Sequence, residues 1–347
     1  MIKARWGKPF SVILIILSAL CIITTLVIDA AGMTLSYRGH ALIAGIVGLA
    51  AGFYFLPVSE ARHIKIINVL FLIPMVGTFA VTVIIPFLMG IFYSTTDWDG
   101  IKFENFVGFE NYINMFKEPD YLYSFGITFL FTVVNMALVN FFAFALALLC
   151  TSNSKVTGFC RAAFFIPNLI GGIVLGYVWQ FIFNKVFILA APPSMLTNAN
   201  LALVAILIVS TWQYSGYIMM IYITGLQTIP KDVIEASGID GASWWRQLFK
   251  IKIPMIANTF TVCTFLTLVN SFKQFDLNIA LTNGAPQRVI DGRAVYATEF
   301  LALNIYKTAI TKHDYAIAQT KAILFFVILA VISITQVVIS KRNEVEI

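Results

Sequence analysis

The sequence predicts an all-helical integral membrane protein with about eight transmembrane helices. Three observations carry that expectation. Of the 347 residues, 59% are hydrophobic and only 12% are charged, about half the charge of a soluble domain. Mean hydropathy is +0.87. Eight apolar segments each approach or exceed the ~18 residues that cross a bilayer core as a helix.

In order, the segments are Phe10–Ile28, Ala41–Val58, Ile66–Tyr93, Leu122–Cys150, Ala162–Phe183, Leu201–Ile223, Ile253–Phe272 and Ala322–Ser340. The first follows Lys3, Arg5 and Lys8, as a signal peptide would. It is too long for the apolar region of such a peptide, and Asp29-Ala30-Ala31-Gly32 is a poor cleavage site, so it reads as an uncleaved anchor. Pro74 and Pro86 in the third segment and Pro167 in the fifth kink or break their helices. Membrane bundles tolerate this where neighbours replace the lost hydrogen bonds. Between the third and fourth segments, Ser94–Tyr121 mixes aromatics with acids. Lys273–Lys321 is the longest segment outside the spans, and the apolar spacing around Asn304-Ile305-Tyr306 predicts a short interfacial helix. No repeat or low-complexity linker divides the chain.

Charge fixes an expected orientation. With the N-terminus inside, the inside segments hold 13 of the 23 lysines and arginines in roughly 60 residues. Both termini and the loop Glu235–Lys252 are then cytoplasmic. The net charge of +6 does not mark nucleic acid as a partner, because the bases flank apolar runs and form no stripe with aromatic partners. Cys21, Cys150, Cys160 and Cys263 are scattered and the three histidines lie far apart, so neither a metal site nor a cofactor is expected.

The stretch Glu235–Pro254, EASGIDGASWWRQLFKIKIP, is polar where its surroundings are not. Thr228-Ile229-Pro230-Lys231-Asp232 reads as a helix start, with a hydroxyl able to cap, a proline for the first turn and an acid for the dipole. Gly238 and Gly241 predict a turn, and Asp240 can cap a second helix from Ala242. Trp244, Trp245, Leu248 and Ile251 would face headgroups or neighbouring helices, with Arg246, Lys250 and Lys252 on the wet side. By pattern alone, this could be an ordinary interfacial helix pair.

The spacing is more specific. Glu235, Ala236, Gly241, Ile251 and Pro254 resemble the EAA loop of ABC importer permeases, E-A-A, three residues, G, nine residues, I-x-L-P. Ser237 replaces the second alanine, Ile253 replaces the leucine, and Asp240-Gly241-Ala242 resembles the D-G-A of the sugar-importing branch. Phe106-Val107-Gly108-Phe109-Glu110-Asn111-Tyr112, Leu281-Thr282-Asn283-Gly284-Ala285-Pro286 and Ala297-Thr298-Glu299 with Ile305-Tyr306 resemble three further motifs of that branch. The resemblance covers about Ile66–Ser340. It implies a type I permease core of six helices over 66–347, preceded by two extra helices in 1–65, as in the larger permease of the maltose importer without its large outside domain. It also implies a loop, Glu235, Ala236, Ser237, Asp240, Gly241 and Ala242, that docks on a separate ATPase. This chain has no phosphate-binding G-x-x-x-x-G-K-[ST] and is not expected to be an enzyme. The implied partners are a second homologous permease, two ATPase subunits, an extracellular or periplasmic solute-binding protein, membrane lipid and a sugar.

Aligned on the EAA glutamate and the T-N-G motif, the family's sugar-contact positions fall on Ser210, Gln213, Tyr214, Tyr217, Thr267, Asn270, Ser271 and Gln274. Their residue types differ from the relative's at most positions, so the same sugar is not implied. Polar groups inside spans are costly, and they either face a cavity or hydrogen-bond between helices. Tyr217 keeps an aromatic ring and is the leading candidate for cargo contact. Asn135, Trp179 and Gln180 read as structural. Two other classes compete. An ion-coupled secondary transporter would want acids within the spans, and these eight contain no Asp or Glu. A non-transporting membrane scaffold would show neither ATPase binding nor transport.

Overall fold

In a bilayer every backbone N–H and C=O must find a partner within the protein, so apolar segments of this length fold as helices. The computed structural model describes residues 7–30, 37–54, 60–151, 155–189, 192–290 and 292–341. The Ala31-Gly32 end of the expected anchor boundary lies outside them. The chain forms two compact units, Met1–Met89 and Gly90–Ile347.

In the first unit, α1 (Gly7–Ala30) and α2 (Arg38–Tyr54) pack side by side. Gly48 permits the close approach, since a Cβ there would run into Ser18 Oγ. α3 (Glu60–Phe79) continues through a π-turn, Ala80–Ile84, into α4 (Ile85–Tyr93). Pro86 has no N–H to give, and the wider turn beside it absorbs that break in the ladder.

The second unit holds α5 (Glu110–Lys117), α6 (Pro119–Cys150), α7 (Lys155–Leu169), α8 (Gly172–Phe181), α9 (Ala199–Gln227), α10 (Lys231–Ile239), α11 (Trp244–Gln247), α12 (Ile253–Met255), α13 (Ala257–Phe272), α14 (Asp276–Leu281), the hairpin β1 (Gln287–Ile290) and β2 (Arg293–Tyr296), α15 (Leu301–Ile310) and α16 (Tyr315–Lys341). Its axis is α9, where 15 of 29 residues are buried. Val139, Ala143 and Ala147 of α6 pack on Ile218, Met219 and Tyr222 of α9.

Two chain segments then run antiparallel to α9, and both are broken. Along the first, Arg161 and Thr224 line one cleft, and the Phe164 carbonyl meets Gly216. Ile170 O then accepts from Gln213 Nε2 at 3.3 Å. Beyond the break at Ile170-Gly171, Leu175 and Phe183 of the α8 segment pack on Ala205, Ile206 and Val209. Along the second, Thr259 meets Gly225 and Cys263 shares a core with Tyr222. Gln274 Nε2 donates to Ser210 Oγ at 3.4 Å, and Leu277 and Leu281 join Ala205 and Val209. Both breaks therefore lie level with residues 210–214, and Gln213 is the middle residue of α9.

The break expected near Pro167 falls just beyond it, where Gly171 takes an extended backbone (φ −57°, ψ 138°), so Ala162–Phe183 is not one continuous helix. Two expectations change. The seventh segment does not start at Ile253. Trp244–Met255 meets Ala257–Phe272 at 73°, hinged where Ile256 leaves helical angles (φ −109°, ψ 23°). A β-hairpin interrupts the otherwise helical chain, with Ile290 opposite Arg293 and Gly292 at φ +76°. Among the described residues five helices are long and apolar enough to cross a membrane, or six if the 73° pair counts as one. The described apolar stretches in α1 and α2, Phe10–Thr25 and Gly39–Gly52, are shorter.

The sequence motifs at the end where α9 begins are tie points. Asn111 Nδ2 donates to Ser94 O at 3.0 Å and Thr96 O at 2.8 Å, while Tyr112 OH and Ser94 Oγ lie 2.9 Å apart. Asn278 Nδ2 donates to Thr298 O at 2.7 Å, and Thr298 Oγ1 to Ala285 O at 2.8 Å. Lys307 Nζ binds Glu299 at 2.8 Å and Asn283 O at 2.9 Å. The expected short helix around Asn304 is α15. Lys321, wholly buried in α16, donates to Glu118 Oε2 at 2.8 Å and Thr308 Oγ1 at 2.9 Å.

That buried cation yields an ordering. Glu118→Gln leaves Lys321 charged and unmatched, which costs about 3 kcal/mol, the low end for a broken buried pair because Glu118 keeps partial contact with water. Lys321→Met removes the charge itself and should cost less. Thermal unfolding of the purified protein checks this, and a Lys321→Met variant less stable than Glu118→Gln contradicts it.

Candidate functional site: a helix-break cavity and a polar loop

The polar loop folds as two short helices. Thr228 Oγ1 donates to Gly225 O at 2.7 Å, closing α9 rather than capping α10, whose N-cap position is Pro230 and carries no side-chain cap. At the other end of α10, Gly241 N–H donates to Gly238 O at 3.1 Å and Ala242 N–H to Ser237 O at 3.0 Å, with Gly241 at φ +73°. These paired bonds make a Schellman end, which requires a left-handed residue at the position of Gly241. Ser237 is buried and its Oγ donates to Ile234 O at 2.7 Å. Ser243, not Asp240, caps α11, its Oγ accepting from Arg246 N–H at 3.4 Å.

Glu235, Ala236, Asp240 and Gly241 are exposed, and Ala242 is half-buried. Ile239 is 89% exposed, and Trp244, Trp245 and Phe249 are at least half exposed. Trp245 and Phe249 stack at 6.0 Å, while Leu248 turns inward. A surface this apolar on a polar loop is the signature of an interaction face. Behind it, Glu235, Lys231 and Lys252 border a cleft of about 670 Å³ under the ends of α6 and α9.

The eight polar positions on α9 and α13 divide into three groups. Gln213, Tyr214, Asn270 and Gln274 converge on one cavity of about 180 Å³, at the level of both helix breaks. Ser210, Thr267 and Ser271 are buried and paired within the protein. Ser210 accepts from Gln274, Thr267 from Asn140 Nδ2 at 2.8 Å, and Ser271 from Asn135 Nδ2 at 2.8 Å. Tyr217 lines a separate cleft of about 500 Å³ with Arg161, Phe165 and Met220. Asn135 is thus an interhelical tie. Gln180 Nε2 donates to Leu281 O at 3.1 Å, and the Trp179 ring lies 5.6 Å from that of Trp212.

Residues to which the sequence assigned no site role also belong here. Lys273 and Asp276 line the cavity, charged side chains that directly follow an apolar helix. Asn140 joins three helices, its Oδ1 accepting from Tyr222 OH at 2.8 Å as its amide reaches Thr267. A mid-span asparagine four residues from none of the quoted motifs gave no pattern to find it by.

A continuous helix flanked by two helices broken at its midpoint, with polar groups at the breaks and an apolar-faced loop at one end, is the build of a membrane transport component. The comparison with known families agrees. Residues 65–345 match the binding-protein-dependent transport system inner membrane component. The chain belongs to that family. It is 40% identical over 284 residues to the probable starch degradation products transport system permease protein of Thermoanaerobacterium thermosulfurigenes, covering 80% of this chain and 94% of that one. It is 28% identical to the multiple sugar-binding transport system permease protein of Streptococcus mutans, covering 75% and 90%. The crystal structure of a bacterial alginate ABC transporter in complex with its periplasmic protein includes a chain of the same fold, with a TM-score of 0.68, 17% identity and coverage of 82% and 97%. The chain is therefore a multi-pass membrane permease subunit of a binding-protein-dependent transporter.

The first break rests on Gly216. A Cβ there would overlap the Phe164 carbonyl oxygen, whereas one at Gly126 would meet nothing within 4 Å. Gly216→Ala should force α7 off α9 and destabilise by about 1–3 kcal/mol, with Gly126→Ala as the neutral control. Equal thermal midpoints for the two variants would refute this.

Proposed function

We propose that this chain is one of two permeases forming the path of an ATP-driven importer for a sugar or oligosaccharide. The observation that carries the reading is the polar cavity at the paired helix breaks, halfway along α9. Discontinuous helices at mid-span are how transporters place backbone and side-chain polar groups at a cargo. At about 180 Å³ the cavity is smaller than the roughly 300–1,000 Å³ of a complete ligand pocket, as suits half a site whose other wall is a second, homologous permease. The relatives named for starch products and multiple sugars support a carbohydrate cargo. Gln213, Tyr214, Asn270 and Gln274 then face that cargo, Ser210, Thr267 and Ser271 hold the helices that present it, and Tyr217 lies beside the path.

The assembly has two such permeases, two ATPase subunits and an extracellular or periplasmic solute-binding protein, in the inner membrane of a bacterium. The chain makes eight passes, a type I core of six preceded by two extra helices, with both termini and the loop at α10 cytoplasmic. The exposed face of Glu235, Ala236, Ile239, Trp244 and Trp245 docks on an ATPase, and closure of the ATPase pair switches the cavity from one side to the other. Co-expression with the subunits encoded beside it should yield a complex that drives ATP-dependent uptake of labelled maltotriose into proteoliposomes. A purified complex lacking ATPase, or uptake driven by an ion gradient without ATP, would overturn the proposal.

Two further outcomes follow from the loop. A single cysteine replacing exposed Ser243 in a cysteine-free protein should react with a membrane-impermeant thiol reagent only after the membrane is opened; equal labelling in intact cells reverses the orientation. Gly241→Val should assemble normally yet lose cargo-stimulated ATP hydrolysis about tenfold. Nothing lies within 4 Å of a Cβ at this position, so the cause is the φ of +73°, which costs a branched side chain more than ~1 kcal/mol and unwinds the end of α10. Wild-type stimulation in the assembled variant would remove this glycine from the coupling path.

A further inference from the structure

Most polar side chains in the core around α9 are spent on one another. Asn135 takes Ser271, Asn140 takes Thr267 and Tyr222, and Gln274 takes Ser210. Four around the cavity are not. Among the described residues, no side chain or backbone group hydrogen-bonds to the side chains of Tyr214, Asn270, Lys273 or Asp276, and neither charge has an ion-pair partner. Their free donors and acceptors open on one cavity. Lys273, just past the end of α13, and Asp276, the first residue of α14, stand three residues apart, one of each sign.

We infer that Lys273 and Asp276 are specificity-determining residues of this cavity, which selects an uncharged, polyhydroxylated ligand over an anionic one. This rests on the importer reading above. A carboxylate has lone pairs for two donors, so Asp276 can accept from two adjacent hydroxyls of a sugar ring, while Lys273 can only donate, to a ring or hydroxyl oxygen. Hydrogen bonds to charged groups are the strong ones. Together the two charges cancel, so a neutral sugar meets both attractively. A uronate or phosphate would bring a second negative charge beside Asp276 at a site already balanced. The Tyr214 phenol and the Asn270 amide can each donate and accept, which fits hydroxyls in either orientation. Gly172, the first residue of α8, presses on this arrangement from the other break, since a Cβ there would lie 2.8 Å from the Asp276 Cβ. Gly172→Ala should therefore disturb the ligand, by displacing Asp276 and by narrowing the cavity that Gly172 itself lines.

The test uses the complete complex, with both permeases, ATPases and the loaded binding protein, trapped with ATP and vanadate. Labelled maltotriose and labelled trigalacturonate are the probes, and the readout is sugar retained per trapped nucleotide. The wild-type complex should retain maltotriose and little trigalacturonate. Asp276→Asn and Lys273→Gln should each lower the maltotriose ratio about tenfold, with Gly172→Ala shifting it in the same direction. Dividing by nucleotide separates lost ligand contact from lost assembly. If both variants keep the wild-type ratio, or if sugar and nucleotide fall together because Asp276 only steadies the start of α8, the inference fails and the importer reading stands. Preference for trigalacturonate in the wild type overturns the neutral class. A wild-type complex that traps nucleotide yet retains neither probe takes the carbohydrate reading down with it.

Discussion

The structure depends on one constraint, that backbone groups freed inside a membrane must be paired within the protein. An unbroken helix meets it automatically. A broken one leaves carbonyls and N–H groups bare where no water reaches, each at a cost of several kcal/mol. Here both breaks sit against the same stretch of α9. Gln213 donates to the carbonyl of Ile170 at one break, and Ser210 accepts from Gln274 at the other. At the first break α9 thus supplies the donor that a freed carbonyl needs, whereas at the second the N–H groups of Lys273 and Gln274 pair locally with Val269 O and Ser271 O, and the Gln274 side chain gives Ser210 its partner.

This pairing requirement accounts for the distribution of polar residues along the bundle. Away from the breaks they serve as ties between helices, as with Asn140 joining Tyr222 and Thr267. Near the breaks the supply exceeds what the protein consumes, and the surplus faces a cavity. Interhelical hydrogen bonds in membranes are individually modest, averaging about 0.6 kcal/mol. A network of them holds α6, α9 and α13 in register through many small contributions rather than one large one.

The sequence made the spans and the loop legible because both write themselves in local order. Hydropathy marks α6 and α9 within a few residues and the end of α16, whose start at Tyr315 precedes the apolar run, and the spacing from Glu235 to Gly241 marks the turn that the structure closes with paired backbone bonds. The breaks were legible only as local interruptions, Pro167 in the fifth segment and the end of the seventh at Phe272. What they pack on was not, because their partners lie 43 and 64 residues away. Gln213 and Tyr217 illustrate the limit well. They share a helix face by spacing, yet α7 meets α9 at Gly216, between them, and divides that face into two clefts. The hairpin did have a local signal, the Asp291-Gly292 pair between two short β-prone runs, which a reading tuned to helices passes over.

The loop and the cavity are mechanically continuous. From the Schellman end at Gly241 the chain enters α11, passes the buried Leu248 and turns by 73° at Ile256 into α13. α13 ends at the link that carries Lys273 and Gln274 and leads to Asp276 at the start of α14. A push on α10 or α11 therefore reaches one wall of the cavity through a single segment with one hinge. The opposite wall, the Ile170-Gly171 break, belongs to a segment held to α9 at Gly216 and Gln213. α13 is itself held to α9, Thr259 against Gly225 and Cys263 in one core with Tyr222. Loop, α13 and the cavity wall thus form one connected path along the side of α9.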